Sequence, residues 1–219
     1  MPDLNFQVES VGTQRFAASP HLLFQLHITE SVAAGEQPAS IQSVLLRCQI
    51  RIEPARRRYT ATEKDQLLDL FGTPDRWGQT LRPLLWTQVS VIVPQFFGNK
   101  TIDLPVPCSY DFSLAATKYF DAVEEGAIPL CFLFSGTVFY KGSDAALQVA
   151  QISWDKEASF RLSVATWREI MELYYPNCAW LCLRKDVFDA LNQYRKQHGL
   201  PTWEQTLERL LPALEPVKP

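Results

Sequence analysis

The stretch IQSVLLRCQIRIE, residues 41–53, decides the fold class. Val44, Leu46, Cys48, Ile50 and Ile52 fall on one side of an extended chain, and Arg47, Gln49, Arg51 and Glu53 fall on the other. That two-residue period belongs to a strand with one face on a core and one in water. The alternation recurs in Phe24, Leu26 and Ile28 against Gln25, His27 and Thr29, and ESVAAGEQPAS between the two strands is too long for a tight hairpin. Further strands are expected over Asn5 to Glu9, Thr87 to Val93, Thr101 to Val106, Pro129 to Tyr140 and Leu147 to Trp154. The segment IPLCFLFSGTVFY, residues 128–140, is apolar almost throughout, so it belongs centrally in a sheet, with Gly136 relieving crowding. About seven short strands predict an antiparallel sandwich.

Helices interrupt and follow these strands. Thr60 and Glu63 form a capping box, Leu67, Leu70 and Phe71 an apolar stripe, and Gly72 a stop, which predicts one helix over 61–71. Tyr110, Phe112 and Leu114 keep strand alternation. They run into a helix bearing Ala116, Tyr119, Phe120 and Val123, ended by Gly126. Beyond residue 162 the spacing turns helical: Trp167, Ile170, Met171 and Tyr174 up to Pro176, then Val187, Phe188, Leu191 and Tyr194 behind a cap at Asp186, ending near Gly199. Thr202 and Gln205 open a last helix through Trp203, Leu207, Leu210 and Leu211. No low-complexity linker intervenes. The expected fold is therefore α+β, an antiparallel β-sandwich with an inserted helix and C-terminal helices packed on it. Residues 1–160 form the sandwich region and residues 161–219 the helical region of one domain.

The 219 residues are 47% hydrophobic and 21% charged, enough to bury a core. A formal charge of −3 argues against nucleic acid as a partner, because any hold on phosphate would need a local basic patch. Cys48, Cys108, Cys131, Cys178 and Cys182 are an odd, scattered set with apolar neighbours, as expected of packed free thiols in a reducing cytoplasm. The opening MPDLNFQVES lacks the basic and apolar regions of a signal peptide, and no apolar run reaches the roughly 20 residues of a membrane span.

No stretch carries a catalytic, cofactor or metal signature. His21, His27 and His198 lack partners at ligand spacing, and CAWLC at 178–182 has the wrong spacer for a zinc knuckle or a thioredoxin-type turn. The glycines form no phosphate-cradling pattern. FSGT lacks the first glycine of a nucleophile elbow, and Glu124 with Glu125 reads as a solvated helix end. The tryptophans at 77, 86, 154, 167, 180 and 203 mostly coincide with periodic apolar positions and are expected in the core. Trp77 differs: in TPDRWGQTLRPLLW it lies beside Arg76 and near Arg82, a composition shared by interface hot spots and by structural tryptophans under an arginine.

The second candidate is the corner after the deciding strand, where Pro54 ends the ladder and Arg56, Arg57 and Arg58 precede Tyr59 and the helix cap. Three guanidinium groups and a helix N-terminus could converge there on an anion or a partner. Equally, Glu53, Glu63 and Asp65 could neutralise them within the corner.

Together, IRIEPARRRYT, LFGTPDRWGQTLRPLLW, VPCSYDF, KYFDAVEEGAIPLCFLFSGTVFY, WDKEASFRL and LPTWEQTLERLL resemble a bacterial family known only as a domain of unknown function, from about Phe6 to Leu211. Its members are often encoded beside genes for oxygen-tolerant nickel-iron hydrogenases. The resemblance implies an accessory or assembly role and transfers no catalytic residue. The leading expectation is a non-catalytic cytoplasmic protein without cofactor that binds a protein partner, such as a hydrogenase-related complex, with homo-oligomers compatible. A small-ligand or carbohydrate-binding sandwich using Trp77 is the alternative. An enzyme with His21 or His27 as base comes third.

Overall fold

The computed structural model describes residues 1–14, 16–32, 37–108, 114–142, 146–178, 181 and 183–211. Its strands are β1 (Asp3–Thr13), β2 (His21–Ser31), β3 (Ser40–Ile52), β4 (Leu84–Phe97), β5 (Asn99–Pro107), β6 (Ala127–Lys141), β7 (Leu147–Gln151) and β8 (Glu157–Ser163). Pairing among them is antiparallel and forms two layers. In one, β2 lies between β1 and β5. In the other, β3 lies between β4 and β6, with β7 and β8 on the far edge of β6. The layers join where β4 turns into β5 at Gly98, whose φ of 66° supplies the left-handed corner, with Phe97 opposite Asn99.

The inward faces meet through aromatic rings. Phe24 of β2 lies edge-on to Phe132 of β6 at 5.1 Å and to Phe160 of β8 at 5.6 Å, and Phe6 of β1 stacks on Phe134 of β6 at 4.4 Å. Each fully buried ring contributes about 1.5–3 kcal/mol, and the partly buried Phe160 contributes less. The expected alternation of β3 is present, with Val44, Leu46, Cys48, Ile50 and Ile52 buried. Gly136 does relieve crowding: a Cβ there would lie 2.0 Å from the backbone oxygen of Leu45, at a φ of 144°.

Two differences from the expected sandwich share a cause. An eighth strand, β8, occupies 157–163, where seven strands were expected, and the expected run to Trp154 stops at Gln151. β7 and β8 are consecutive stretches along one edge of β6, separated by an excursion from Ile152 to Lys156 that stays tied to Gly136 and Phe134 of β6. The polar residues of that excursion masked a continuing edge. Trp154 sits on it and is 92% exposed, so this tryptophan is not core, whereas Trp86 and Trp167 are buried.

The expected helix 61–71 is broken in two, α1 (Ala61–Gln66) and α2 (Leu68–Phe71). Leu67 between them is buried with a ψ of 0°, so its side chain turns to the core at the expense of helix continuity. A 3-10 turn at Pro74–Arg76 leads into α3 (Trp77–Thr80). α4 (Leu114–Ala122) ends before Gly126, and the strand expected at Tyr110 and Phe112 lies outside the described residues. α5 (Val164–Tyr174) presents Trp167, stacked on Phe120 of α4 at 4.0 Å, with Trp86 of β4 edge-on to both.

The chain divides into two compact units, Met1–Cys178 and Ala179–Pro219. α5 goes with the strands: the Tyr174 hydroxyl donates to the Gln14 carbonyl at 2.8 Å and accepts from the Ala17 amide at 3.1 Å. The second unit holds α6 (Lys185–Gln197) and α7 (Trp203–Leu210). Within it Arg195 lies 4.5 Å over the Trp203 ring, and Thr202 caps α7 as expected. Asp186 is not the cap of α6; Arg184 stands there and pairs with it at 3.1 Å. Cys48, Cys108 and Cys131 are buried free thiols, and burial pushes Cys108 up to about 12. Cys178 is exposed, unlike the packed thiol expected, and Cys182 lies outside the described residues.

Candidate functional site

Pro54 cannot donate to a ladder, so β3 stops and a 3-10 turn over Pro54–Arg56 swings the chain toward α1. The corner is fixed from below by Tyr59. Its hydroxyl donates to the Pro54 carbonyl at 2.8 Å and lies 2.8 Å from the Tyr119 hydroxyl of α4. Burial pushes the Tyr119 hydroxyl up to about 12 and raises that of Tyr59 as well, so both stay neutral donors.

The three consecutive arginines have different fates. Arg57 turns inward, its side chain 7% exposed, lying 5.0 Å over the Tyr59 ring. Its Nη2 donates to Glu63 Oε1 at 2.6 Å and to the Glu125 carbonyl at 3.2 Å. Glu63, 1% exposed, also accepts from the backbone amides of Thr60 and Glu124, each at 3.0 Å. Burial alone would push the Glu63 carboxyl up. The amides of Thr60 and Glu124 together with Arg57 outweigh it and hold the group below its ordinary value. Glu63 thereby joins the corner, the start of α1 and the loop after α4.

Arg56 and Arg58 remain exposed, and β8 brings a fourth arginine to them. Arg161 lies opposite Pro129 of β6, and its Nη2 approaches the Arg56 carbonyl at 3.4 Å, while Arg56 Nη1 approaches Ser159 Oγ at 3.4 Å. Arg56, Arg57, Arg58 and Arg161 line one open depression of about 770 Å³ with Thr60, Glu63, Glu125, Gly126 and Ala127. Among the described residues no carboxylate lies within ion-pair distance of Arg56, Arg58 or Arg161, and neither Glu53 nor Asp65 pairs with the corner. The expected help from a helix dipole is missing. α1 has six residues, and the cap is closed by Thr60 Oγ1 accepting from the Glu63 amide at 3.2 Å.

Arg76, Trp77 and Arg82 are not part of the depression. Trp77 is half-buried, donates from Nε1 to the Gly72 carbonyl at 2.9 Å, and packs edge-on to Tyr59 and Phe71. Arg82 donates to the Gln79 carbonyl at 2.9 Å, and Arg76 is exposed. Nor do the histidines line it: His21 Nδ1 lies 2.9 Å from the Ser19 carbonyl and His27 Nδ1 lies 2.9 Å from Thr101 Oγ1. Arg161 was missing from the sequence-based set. The alternation Ala158, Phe160, Leu162 is the signal that places it on the outward face of a strand.

Among the described residues no group of three or more His, Cys, Asp or Glu side chains could hold a metal, and no helix is long and apolar enough to cross a membrane. One family model matches residues 1–218, nearly the whole chain. The chain belongs to DUF6084, a family of unknown function. The expectation of a family of unknown function spanning nearly the whole chain is thus met. A comparison with curated proteins finds no match. Among solved structures, DUF6084 as seen here resembles a late embryogenesis abundant (LEA) protein in solution, at a TM-score of 0.32 and 12% identity over 74% of this chain and 72% of that one. It also resembles the CARDB domain of a Pyrococcus furiosus protein, solved with di-metal ions, at a TM-score of 0.27 and 11% identity over 74% of this chain and 92% of that one.

Proposed function

We propose that this DUF6084 chain is a non-catalytic binding protein that holds an acidic surface of a protein partner against Arg56, Arg58 and Arg161. The observation carrying this reading is the lack of carboxylate partners for these three side chains among the described residues, in a chain whose formal charge is −3. A local positive patch on a chain of negative net charge is complementary to an acidic surface, and arginine is enriched among residues that anchor interfaces. The family resemblance supports a bacterial setting and a partner in the assembly of a nickel-iron hydrogenase, and the scattered cysteines support a reducing cytoplasm. The small-ligand reading has less support, since the Trp77 ring is engaged by Tyr59 and Phe71.

The test is affinity capture from the native host with the wild-type chain and with Arg56, Arg58 and Arg161 all changed to Glu. A specific partner, a hydrogenase subunit or its maturation factor, is expected with the wild type and is lost on charge reversal. A partner retained unchanged by the triple variant would overturn the role of this surface.

A further inference from the structure

Beyond a general preference for acidic surfaces, we infer that the arginine depression is a site for a single dianionic phosphate monoester. This rests on the reading above that the depression is the contact surface, and it narrows the group that enters it.

Charge balance is the first ground. The lining residues include four arginines and two glutamates, Glu63 and Glu125. Arg57 and Glu63 neutralise each other at 2.6 Å, which leaves Arg56, Arg58 and Arg161 against Glu125, a surplus of two positive charges. A single carboxylate leaves that surplus half unanswered, whereas a phosphate monoester near neutral pH carries a charge of about −1.5 to −2.

Donor count is the second ground. A carboxylate has two oxygens and is satisfied by one or two forked arginines, while a phosphate monoester offers three terminal oxygens suited to several guanidinium groups. The depression supplies three exposed ones from two segments, the β3–α1 corner and β8.

The third ground is a donor that the protein leaves unused. Nη1 of Arg57 is buried on a side chain that is 7% exposed and lines the depression, and it has no hydrogen-bond partner. An unsatisfied buried donor is costly, and it sits on a side chain of the lining, so the site has hydrogen-bonding capacity that the protein itself does not use. Glu125 is the opposing feature of the site. Its carboxylate favours ligands whose charge is concentrated on the side away from it, and its removal is expected to tighten binding.

Isothermal titration calorimetry of the full chain at about pH 7.5 tests this, with inorganic phosphate, O-phosphoserine, succinate, and a phosphoserine peptide beside its glutamate counterpart. Calorimetry is preferred to thermal shift, because phosphate stabilises many proteins by exclusion from their surface. Saturable binding of phosphate and phosphoserine is expected, with succinate weaker by about tenfold. Affinity for O-phosphoserine should fall as the pH drops through about 6, where the monoester dianion becomes a monoanion. Arg58→Gln and Arg161→Gln should each weaken phosphate about tenfold without lowering Tm, and Arg76→Gln should not change it. A phosphopeptide binding much more tightly than free phosphoserine assigns the group to a protein partner, and equal affinities assign it to a small phosphorylated metabolite. Absence of saturable phosphate binding, succinate binding as tightly, or equal losses with Arg76→Gln would overturn the inference. If that occurs while charge reversal still abolishes partner capture, the acidic-partner reading stands without the phosphate; if both fail, both fall.

Discussion

Arg57 and Arg58 are neighbours in the chain, yet one is part of the scaffold and the other part of the surface. Arg57 is closed in by Glu63, Tyr59 and the Glu125 carbonyl, and it helps hold the corner to the loop after α4. Arg58, with Arg56 and Arg161, faces solvent with no carboxylate partner among the described residues. A run of like charges is therefore not one functional object. Its members divide according to whether a local carboxylate can be desolvated beside them, and the capping residue Glu63 is the carboxylate that performs this for one arginine only.

The division can be broken most directly at Glu63. Glu63→Ala strands a buried guanidinium, and a loss of about 3–5 kcal/mol is expected by urea denaturation. A loss near that of a surface substitution would mean that Arg57 is not scaffold. Glu63→Gln keeps the shape but removes the charge and sets an amide nitrogen against either the Thr60 amide or the Arg57 and Glu124 donors, so about 1–3 kcal/mol is expected at neutral pH. The pH dependence has a definite sign. Because the folded state holds the Glu63 carboxyl below its ordinary value, its stabilising contribution is complete above about pH 4.3 and is lost as the pH falls below that. The difference between wild type and Glu63→Gln should accordingly shrink in acid, and a constant difference would count against the ion pair as its source.

Smaller effects sharpen the contrast. Tyr59→Phe removes the hydroxyl between Pro54 and Tyr119 and should cost about 1 kcal/mol, measured by thermal unfolding, with little change in anion affinity. Arg56→Ala, Arg58→Ala and Arg161→Ala should each change stability by no more than about 0.5 kcal/mol. A markedly larger loss for Arg58 would place it with Arg57 in the scaffold and erase the distinction.

Much of this arrangement is legible in the chain. The strand over 41–53, the capping box of Thr60 and Glu63 and the role of Gly136 all follow from local patterns and appear in the structure. Such features depend on residues within one element, where period and capping chemistry act directly. The break at Leu67, the strand β8 and the exposure of Trp154 were not legible in the same way. Each depends on what a neighbouring element covers or leaves open, and local propensity gives way to burial there. Trp77 shows the same limit, since its composition fitted an interface and a structural role alike, and only its bond to Gly72 and its ring contacts separate them.

By itself the sequence determined that the chain is an antiparallel sandwich with helices and that a basic corner sits between a strand and a capped helix, because alternation and capping are short-range consequences of backbone geometry. The tertiary structure alone decided which arginines are free. That choice required β8 to carry Arg161 more than a hundred residues along the chain to the same depression, and the loop after α4 to offer the Glu124 amide and Glu125 carbonyl that bury Glu63 with Arg57. Desolvation and pairing act through space between distant segments, and no local pattern records them.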